Sequence, residues 1–316
     1  MNVTDPTISV VIPLYNKEKT IKRALDSIMK QTVLPQEIIV VDDGSTDGSR
    51  AVVEQEHNPL VMLFCQENSG VSAARNRGIR EARGAWIAFL DADDEWEPGY
   101  LEQIDRMIRQ FPSSIGAATA YFLGNEQGSK RRMTLRKLPF TTESGVLSNY
   151  FQVAVHSDPP VWTSAVCVNK QRLLETGGFP YGIRSGEDLL TWARLAVAGD
   201  YCYCSRPLAV FWQEKAHTYQ AAPSRIPEEI DYVGAQLVSL YKSYHGPQKR
   251  WFREYIGLWH KMRASVYLRM EMNQPALKET LLTMYYGHNP LKALVYLFLL
   301  MYPVKFRQKI FQKFSR

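Results

Sequence analysis

The sequence predicts an α/β protein built on a mostly parallel, Rossmann-like open sheet with flanking helices, followed by a helical C-terminal extension. Three observations predict this fold class. Short apolar runs alternate with helix-periodic segments through the first hundred residues. A polar cluster follows each of these apolar runs. From about residue 225 onward the pattern is helical, in segments at 232–241, 251–270 and 275–286.

Four short apolar runs are the predicted strands, at residues 8–12, 37–41, 61–65 and 86–90. Segments with helical spacing occur between them, at residues 21–28 and 72–82. Because the strands are apolar almost throughout, we expect a parallel sheet that is covered on both faces. Ligands of such open sheets bind beyond the carboxyl ends of the strands. The polar clusters at 13–16, 42–47, 68–70 and 91–95 are therefore expected along one binding edge.

The most informative cluster contains four carboxylates within five residues: Asp91, Asp93, Asp94 and Glu95. Carboxylates this close repel one another, so they must protonate, face water or hold a cation. Strand periodicity predicts Asp91 and Asp93 on one side. Hard oxygen ligands suit Mg²⁺ or Mn²⁺ that carries a phosphate-bearing substrate. A solvated acidic turn is the alternative, because such turns are common at strand ends.

Two charged features lie in the middle of the chain. Basic residues at 130–132 and 136–137 are interpreted as a solvated loop, with contact to phosphate or acceptor as the alternative. Glu187 and Asp188 begin an apolar-periodic run, which places the pair at a helix N-terminus. Complementing the helix dipole needs only one acid at that position. The pair is therefore a candidate for chemistry.

The C-terminal end combines an uncharged segment with a basic one. Residues 293–304 carry no charge and would rise ~18 Å as a helix, short of the ~30 Å hydrocarbon core of a bilayer. Apolar residues then recur every fourth position among five basic residues, which supply nearly all of the net charge of +6: Lys305, Arg307, Lys309, Lys313 and Arg316. This pattern predicts an in-plane anchor on an anionic membrane surface. The alternative is a core helix followed by a solvated tail.

Several other classes of protein are unsupported. A near-neutral body with one basic tail does not indicate a nucleic-acid-binding surface. The four cysteines lack metal-binding spacing and are interpreted as reduced cytoplasmic thiols. No G-x-G-x-x-G motif follows the first strand, and the Walker A, G-x-S-x-G and H-E-x-x-H motifs are also missing from the sequence. No signal peptide is expected from the polar N-terminus.

Five sequence motifs together resemble family 2 glycosyltransferases of the bacterial surface-polysaccharide type, which have the GT-A fold. They are VVIPLYN at 10–16, VDDGSTD at 41–47, GVSAARNRG at 70–78, LDADD at 90–94 and GED at 186–188. The resemblance covers residues from about 5 to 215. It implies a GT-A catalytic domain at 1–220, with a nucleotide-binding half at 1–115 and an acceptor half at 116–220. Outside the resemblance, residues 221–316 are predicted to form a helical region with a membrane-associating tail at about 291–316.

The resemblance also implies roles for individual residues. Asp188 would be the general base, and Glu187 would orient the base or the acceptor. Asp93 would ligate Mn²⁺ or Mg²⁺, with Asp91 on ribose or the metal and His217 as a further metal ligand. A surface histidine is the equal alternative for His217. The implied nucleotide-binding set is Pro13, Tyr15, Asn16, Asp42, Asp43, Arg75, Asp91 and Ala92.

The implied reaction moves a sugar, with inversion, from a nucleoside-diphosphate sugar to a hydroxyl of a glycan or lipid-linked acceptor. A UDP-sugar is the favoured donor. The expected location is the cytoplasm, peripheral on the cytoplasmic face of the inner membrane. Two alternatives remain open: a nucleotidyltransferase that makes a sugar nucleotide, and a non-catalytic membrane scaffold that binds one.

Overall fold

The first half of the fold is a parallel sheet, as the apolar strands predict. In the computed structural model, which describes residues 5–213, 226–302 and Arg307, strands β1 (Ile8–Leu14), β2 (Glu37–Asp42), β3 (Val61–Cys65) and β4 (Trp86–Phe89) lie in the order β3-β2-β1-β4. Each neighbouring pair is parallel. Helices α1 (Ile21–Met29), α2 (Ser49–Glu54) and α3 (Val71–Glu81) connect them. β1, β2 and β4 are buried throughout because helices cover both faces.

The second half extends the same sheet but mixes strand directions. Its elements are β5 (Glu95–Trp96), α4 (Tyr100–Gln110), β6 (Gly116–Gly124), β7 (Lys130–Arg132), β8 (Ser144–Leu147), α5 (Tyr150–His156), β9 (Val166–Asn169), α6 (Lys170–Glu175), α7 (Glu187–Ala198) and β10 (Tyr201–Trp212). The order continues from β4 as β9-β6-β10-β5. β9 is antiparallel to both β4 and β6, whereas β10 is parallel to β6. The predicted parallel arrangement is therefore found among the first four strands, β1 to β4.

The basic stretch at 130–132 is a short strand, so the prediction of a loop there was wrong. β7 pairs with the end of β6, and its three side chains are exposed. An exposed edge strand of three basic residues carries no apolar periodicity, which is why the pattern gave no strand signal. Lys130 forms ion pairs with Glu95 (3.1 Å) and Glu97 (2.9 Å), which tie this edge to the acidic run.

The helical C-terminal region packs onto the sheet domain through a shared core. Its helices are α8 (Tyr232–Ser243), α9 (Lys249–Arg269), α10 (Asn273–Tyr286) and α11 (Pro290–Leu300). Phe252 of α9 stacks on Phe151 of α5 with ring centroids 4.2 Å apart. Val233, Ile256 and Trp259 belong to the same hydrophobic core as the sheet. The core therefore continues across residue 220, where the sequence predicts a division.

The predicted amphipathic tail falls mostly outside the described residues, as do Pro303, Phe306, Ile310 and Phe314. Arg307 is described and is buried in the fold, whereas the membrane contact of the tail stays a prediction. Its buried guanidinium donates to the carbonyl of Tyr302 (2.7 Å), the carbonyl of Leu300 (3.1 Å) and Asn273 Oδ1 (2.7 Å). It satisfies carbonyls at and beyond the end of α11, as basic side chains often do at helix C-termini. Among the described helices, none combines the length and apolarity needed to cross a bilayer.

Candidate active site

The loops after β1 and β2 are joined through Asn16. Its side-chain Oδ1 accepts a hydrogen bond from the backbone N–H of Thr46 (2.8 Å), and its own N–H donates to Ser45 Oγ (3.1 Å). Asn16 has a positive φ of 51°, which asparagine tolerates better than most residues. Asp42 accepts from the Ser45 N–H (3.2 Å) and supports the same turn. These contacts leave Tyr15 47 % exposed at the rim of the sheet.

Asp43 ties the loop after β2 to the loop after β3. Its carboxylate accepts hydrogen bonds from Gln66 Nε2 (2.7 Å) and from the backbone N–H groups of Ser69 (2.9 Å) and Gly70 (2.8 Å). The side chain is buried. Its observed role is thus to position these loops, and its contact with a nucleobase stays a prediction. Pro13 is also buried, in β1 beside Val41, and its place in the nucleotide-binding set likewise stays a prediction.

The acidic run after β4 is a turn in which each carboxylate has its own partner. The backbone N–H of Asp94 donates to the Asp91 carbonyl (3.0 Å), which closes the turn, and Ala92 is buried inside it. The partners differ in kind: Asp91 pairs with Arg75 at 2.8 Å, Asp93 with Lys17 at 2.6 Å, and Glu95 with Lys130 at 3.1 Å and Arg23 at 3.6 Å. Internal cations therefore offset most of the repulsion that the sequence indicates.

Asp94 anchors the turn. It is buried, and its carboxylate accepts from Ser164 Oγ (2.5 Å) and from the Trp212 N–H (3.1 Å). Ser164 Oγ in turn accepts from the Asp91 N–H (3.0 Å). Burial, reinforced by the charges of Asp93 and Asp91, raises the pKa of Asp94 well above its ordinary value. Asp94 thus holds the turn in place instead of joining Asp91 and Asp93 at the surface.

The chemistry of Asp91 and Asp93 fits a divalent cation. Both side chains remain partly exposed, at 24 % and 30 %, and carboxylate oxygens are the ligands that Mg²⁺ and Mn²⁺ prefer. The Lys17 ammonium, itself partly exposed, already provides a positive charge at Asp93. His217, the third predicted ligand, lies outside the described residues. Asp231, His260 and Glu279 form the one described group with three ligand atoms within 4.8 Å of one another, and these residues lie on or beside the C-terminal helices.

Arg75 forms ion pairs with two separate parts of the chain. It lies on α3, is only 4 % exposed, and pairs with Asp91 (2.8 Å) and Glu187 (3.2 Å). Its guanidinium also lies over the ring of Phe179, 5.0 Å from the centroid. Although burial opposes the charge, Asp91 and Glu187 raise the pKa of Arg75 above its ordinary value. Arg75 therefore bridges the acidic turn and the start of α7, and a direct contact with a nucleotide stays a prediction.

Glu187 and Asp188 begin α7 directly after Gly186, as predicted. Glu187 is buried, and its Oε2 atom has no hydrogen-bond partner among the described residues. Asp188 is half-buried and accepts from the Leu189 N–H (2.7 Å). Burial, together with the neighbouring charge of Glu187, raises the pKa of Asp188 to about 7, although Arg75 opposes the shift. A carboxylate with such a pKa suits general-base chemistry near neutral pH.

Sequence reasoning overlooked several residues that shape this site. Lys17 directly follows the VVIPLYN motif, and its position next to that motif was an available signal. Ser164 gave no signal, because a single serine far from the acidic run in sequence carries no pattern. For Arg75, which was predicted to bind the nucleotide, the sequence did not indicate the two carboxylates that it contacts.

Comparisons with known proteins agree with this architecture. Residues 9–159 match the family model described as "Glycosyl transferase family 2". The chain is 30 % identical over 203 residues to the putative teichuronic acid biosynthesis glycosyltransferase TuaG of Bacillus subtilis, covering 63 % of this chain and 75 % of TuaG. The chain belongs to glycosyl transferase family 2. The prediction of that family is confirmed.

Other relatives of this family 2 chain extend the comparison. It is 36 % identical over 128 residues to the glycosyltransferase GlyA of Streptococcus pneumoniae. The aligned region covers 40 % of this chain but only 18 % of GlyA. Among solved structures, S. aureus TarS 1-349 in complex with UDP-GlcNAc superposes with a TM-score of 0.65 at 19 % identity, covering 88 % of this chain and 84 % of that chain. This likeness confirms the predicted GT-A fold.

Proposed function

We propose that this enzyme transfers a sugar, with inversion, from a nucleoside-diphosphate sugar to a hydroxyl of a glycan or lipid-linked acceptor by a single displacement. One observation carries the proposal. Arg75, which is itself buried, brings the partly exposed Asp91 of the acidic turn and the buried Glu187 of α7 into one ion-pair cluster. Asp188, whose pKa is raised to about 7, adjoins that cluster. The link through Arg75 supports a single site that contains the candidate base and the candidate phosphate-and-metal turn.

Asp188 supplies what an acceptor hydroxyl lacks at neutral pH. In the proposed step its carboxylate takes the hydroxyl proton while the acceptor oxygen forms a bond to the anomeric carbon. The bond between that carbon and the phosphate oxygen breaks, and nucleoside diphosphate leaves with the electron pair. A positioned base typically contributes ~10²–10⁴-fold to such a step. Glu187, held by Arg75, keeps the start of α7 in register with the acidic turn.

Asp93 and Asp91 would hold a divalent cation, Mn²⁺ or Mg²⁺, with His217 as a further candidate ligand. When bound, such an ion would offset the charge that develops on the leaving diphosphate. Lys17 lies at Asp93 and supplies positive charge on the same side of the site. A metal titration shows whether the charge of Lys17 adds to that of a metal ion or replaces it.

A UDP-sugar is the proposed donor. Pro13, Tyr15, Asn16, Asp42, Asp43 and Ala92 lie in or beside the loops at the carboxyl ends of β1, β2 and β4, where open α/β sheets bind ligands. The fold is shared with TarS, which has been solved with UDP-GlcNAc and with UDP. The teichuronic acid role in the name of TuaG supports a bacterial polysaccharide as the product.

A donor panel tests this function. UDP-glucose, UDP-galactose, UDP-GlcNAc, a GDP-sugar and a dTDP-sugar are incubated with the protein, with and without Mn²⁺, and released nucleoside diphosphate is measured. We expect UDP release from a UDP-sugar and a higher melting temperature with that donor. Pyrophosphate release from UTP and a sugar phosphate would instead identify the nucleotidyltransferase alternative. Binding without release, even when glycan and lipid-linked acceptors are added, would identify the scaffold alternative.

We further propose that an anionic membrane surface is a partner, which would place the enzyme on the cytoplasmic face of the inner membrane. α11 supports this proposal independently of the tail. Ala293, Tyr296 and Leu299 are buried, whereas the opposite face is apolar and exposed: Leu291, Leu294, Val295, Phe298 and Met301. No acidic residue occurs between 280 and 316, and the sequence after α11 is basic. Apolar side chains beside basic ones match the headgroup region of anionic bilayers.

Vesicle flotation tests the membrane proposal. The double variant L294E/F298E should lose binding to vesicles of phosphatidylcholine with phosphatidylglycerol. The control I226E/I230E adds the same charge at two exposed isoleucines outside α11 and should retain binding. Wild-type protein should bind less as salt rises. Equal binding by L294E/F298E would contradict the proposal. A concentration-dependent doubling of mass that only L294E/F298E abolishes would identify α11 as a dimer interface instead.

A further inference from the structure

The C-terminal region contacts the chain on both sides of the Glu187–Asp188 pair. Before the pair, the Arg184 N–H donates to Glu228 Oε1 (2.6 Å). After it, Tyr255 Oη donates to the Leu189 carbonyl (3.2 Å). Between these two points, Trp259 of α9 packs against Gly186. Residues beyond 226 therefore hold the segment that carries the proposed base at three successive points.

The contact between Trp259 and Gly186 permits no side chain at position 186. Gly186 has φ +83°, and a Cβ built there would lie 2.5 Å from Trp259 Cη2. Trp259 is buried, so its ring has little space in which to yield. Because Gly186 is the residue directly before Glu187, the indole surface defines where α7 begins. A shift of the ring would change the position of the carboxylates that follow.

A network of charges in turn holds Trp259. Its Nε1–H donates to Asp231 (3.0 Å to Oδ1), which also caps α8 through the Gly234 N–H (2.9 Å). Arg263 Nε lies 3.6 Å from Asp231 Oδ2 and 2.9 Å from Glu279 Oε1. His260 Nδ1 lies 2.7 Å from Glu279 Oε2. We refer to Asp231, His260, Arg263 and Glu279 as the C-terminal ion network.

This network has the residue types of a metal site, but its carboxylates are already paired with a cation of the protein. The Arg263 guanidinium already occupies the space between the two carboxylates and would repel a divalent cation. Although burial opposes it, hydrogen bonds from His260 and Arg263 lower the pKa of Glu279. The carboxylates are thus charge-compensated within the protein. The network is suited to fixing the orientation of Trp259 between α8, α9 and α10.

We propose that Trp259 is a positioning residue for the Glu187–Asp188 pair, and that the C-terminal ion network holds its indole in place. The C-terminal helices are therefore part of the catalytic machinery. The inference rests on the proposed role of Asp188, and its test is arranged so that the two can fail separately.

The test compares Trp259→Phe with Trp251→Phe. Both tryptophans lie on α9, but Trp251 contacts Arg250 and His156 instead of Gly186. UDP release from UDP-glucose, UDP-galactose and UDP-GlcNAc is followed with Mn²⁺. We expect Trp259→Phe to lower kcat about tenfold to a hundredfold, because small displacements of catalytic groups have effects of that order. KM for the donor should change little, because the proposed donor loops lie elsewhere. Trp251→Phe should match wild type.

A double-mutant cycle with Asp188→Asn separates positioning from general damage. If Trp259 acts through Asp188, Trp259→Phe lowers kcat in wild type and has little further effect in the Asp188→Asn background. An equal loss in both backgrounds, or no loss in wild type, overturns the inference. Near-normal release by Asp188→Asn alone overturns the base assignment, whatever Trp259→Phe does.

The pH profile of kcat distinguishes a changed pKa of Asp188 from a loss of folded protein. Loss of folded protein lowers activity equally at every pH and leaves the midpoint of the acidic limb unchanged. Loosening the contact at Gly186 admits water near Asp188, and burial is the main reason that its pKa is raised. The acidic limb of the kcat profile should therefore move to lower pH in Trp259→Phe and stay in place in Trp251→Phe. Asp231→Asn, which keeps the indole but weakens its anchor, is the second variant if Trp259→Phe does not fold. If the acidic limb of the kcat profile stays in place in every folded variant, the inference is overturned.

Discussion

At the scale of single residues, neighbouring carboxylates have different properties because their surroundings differ. Asp94 is buried against Ser164, which raises its pKa well above the ordinary value, whereas Asp93 pairs with Lys17 and remains partly exposed. Asp188 lies between these extremes, with a pKa of about 7. Charge alone therefore does not identify the functional carboxylates. Burial and the nearest cation distinguish them.

Asp188→Asn should cut sugar transfer by at least about a hundredfold while leaving donor binding nearly intact. The amide cannot accept the acceptor proton, but it preserves the shape of the side chain. Steady-state UDP release and calorimetric titration with the donor measure the two quantities. Turnover close to wild type in this variant would remove Asp188 from the role of base.

Activity should rise with pH through about pH 7, because Asp188 must be ionised to act as a base. The same shift affects stability with the opposite sign. A carboxyl with a raised pKa in the folded state stabilises the fold at low pH, and this contribution is lost as pH rises through the folded pKa. Asp188→Asn should therefore gain melting temperature relative to wild type as pH rises from about 4 to about 7, between the ordinary and the folded pKa of Asp188. A constant difference across that range would contradict the raised pKa.

At the scale of elements, the site depends on α3 meeting α7 through one buried arginine. Arg75→Met would leave the buried Glu187 and the partly exposed Asp91 without the cation that they share. Removing one partner of a buried pair typically costs about 3–5 kcal/mol. We expect a loss of that order in urea unfolding.

Arg80→Met is the matched control for Arg75→Met, because Arg80 is exposed on the same helix. A surface change of this kind usually alters stability by about 0.5 kcal/mol or less. Equal losses of unfolding free energy in the two variants would mean that the ion pairs of Arg75 stabilise the fold no more than a surface arginine does.

At the scale of the whole molecule, the C-terminal helices complete the core of the sheet domain. Val233, Phe252, Tyr255, Ile256 and Trp259 are buried in that core. A chain ending at residue 220 would lack these side chains and would expose the ones they cover, such as Phe151, and each large side chain loses roughly 1.5–3 kcal/mol on such exposure. We expect the fragment 1–220 to aggregate or melt far below the full chain, with no UDP release. A cooperative, active fragment would show that the helices are dispensable.

A truncation after residue 302 is the milder comparison. It removes Arg307, whose side chain caps carbonyls at and after the end of α11 and contacts Asn273. Because α8 and α9 remain, donor turnover should persist while α10 and α11 lose some stability. Circular dichroism melting and UDP release together distinguish this outcome from collapse of the catalytic domain.

Much of the first half of the fold could be predicted because its signals are local. The buried strands β1, β2 and β4 are apolar almost throughout, and β3 was also recognisable as an apolar run of strand length. The start of α7 at Glu187 followed from the same periodicity. β7 could not be predicted, because an exposed edge strand needs no apolar side chains. The partners of Asp94 and Trp259 were also hidden, because Ser164 and Gly186 lie far from them in the sequence.

The sequence by itself determined the family, the order of strands and helices in the first hundred residues, and the residue types at the carboxyl ends of those strands. Apolar periodicity and short motifs encode these features over a few neighbouring residues. Only the tertiary structure decided which carboxylates are functional candidates and which are anchors. Burial and ion pairing depend on residues brought together across the chain, as Arg75 brings together Asp91 and Glu187.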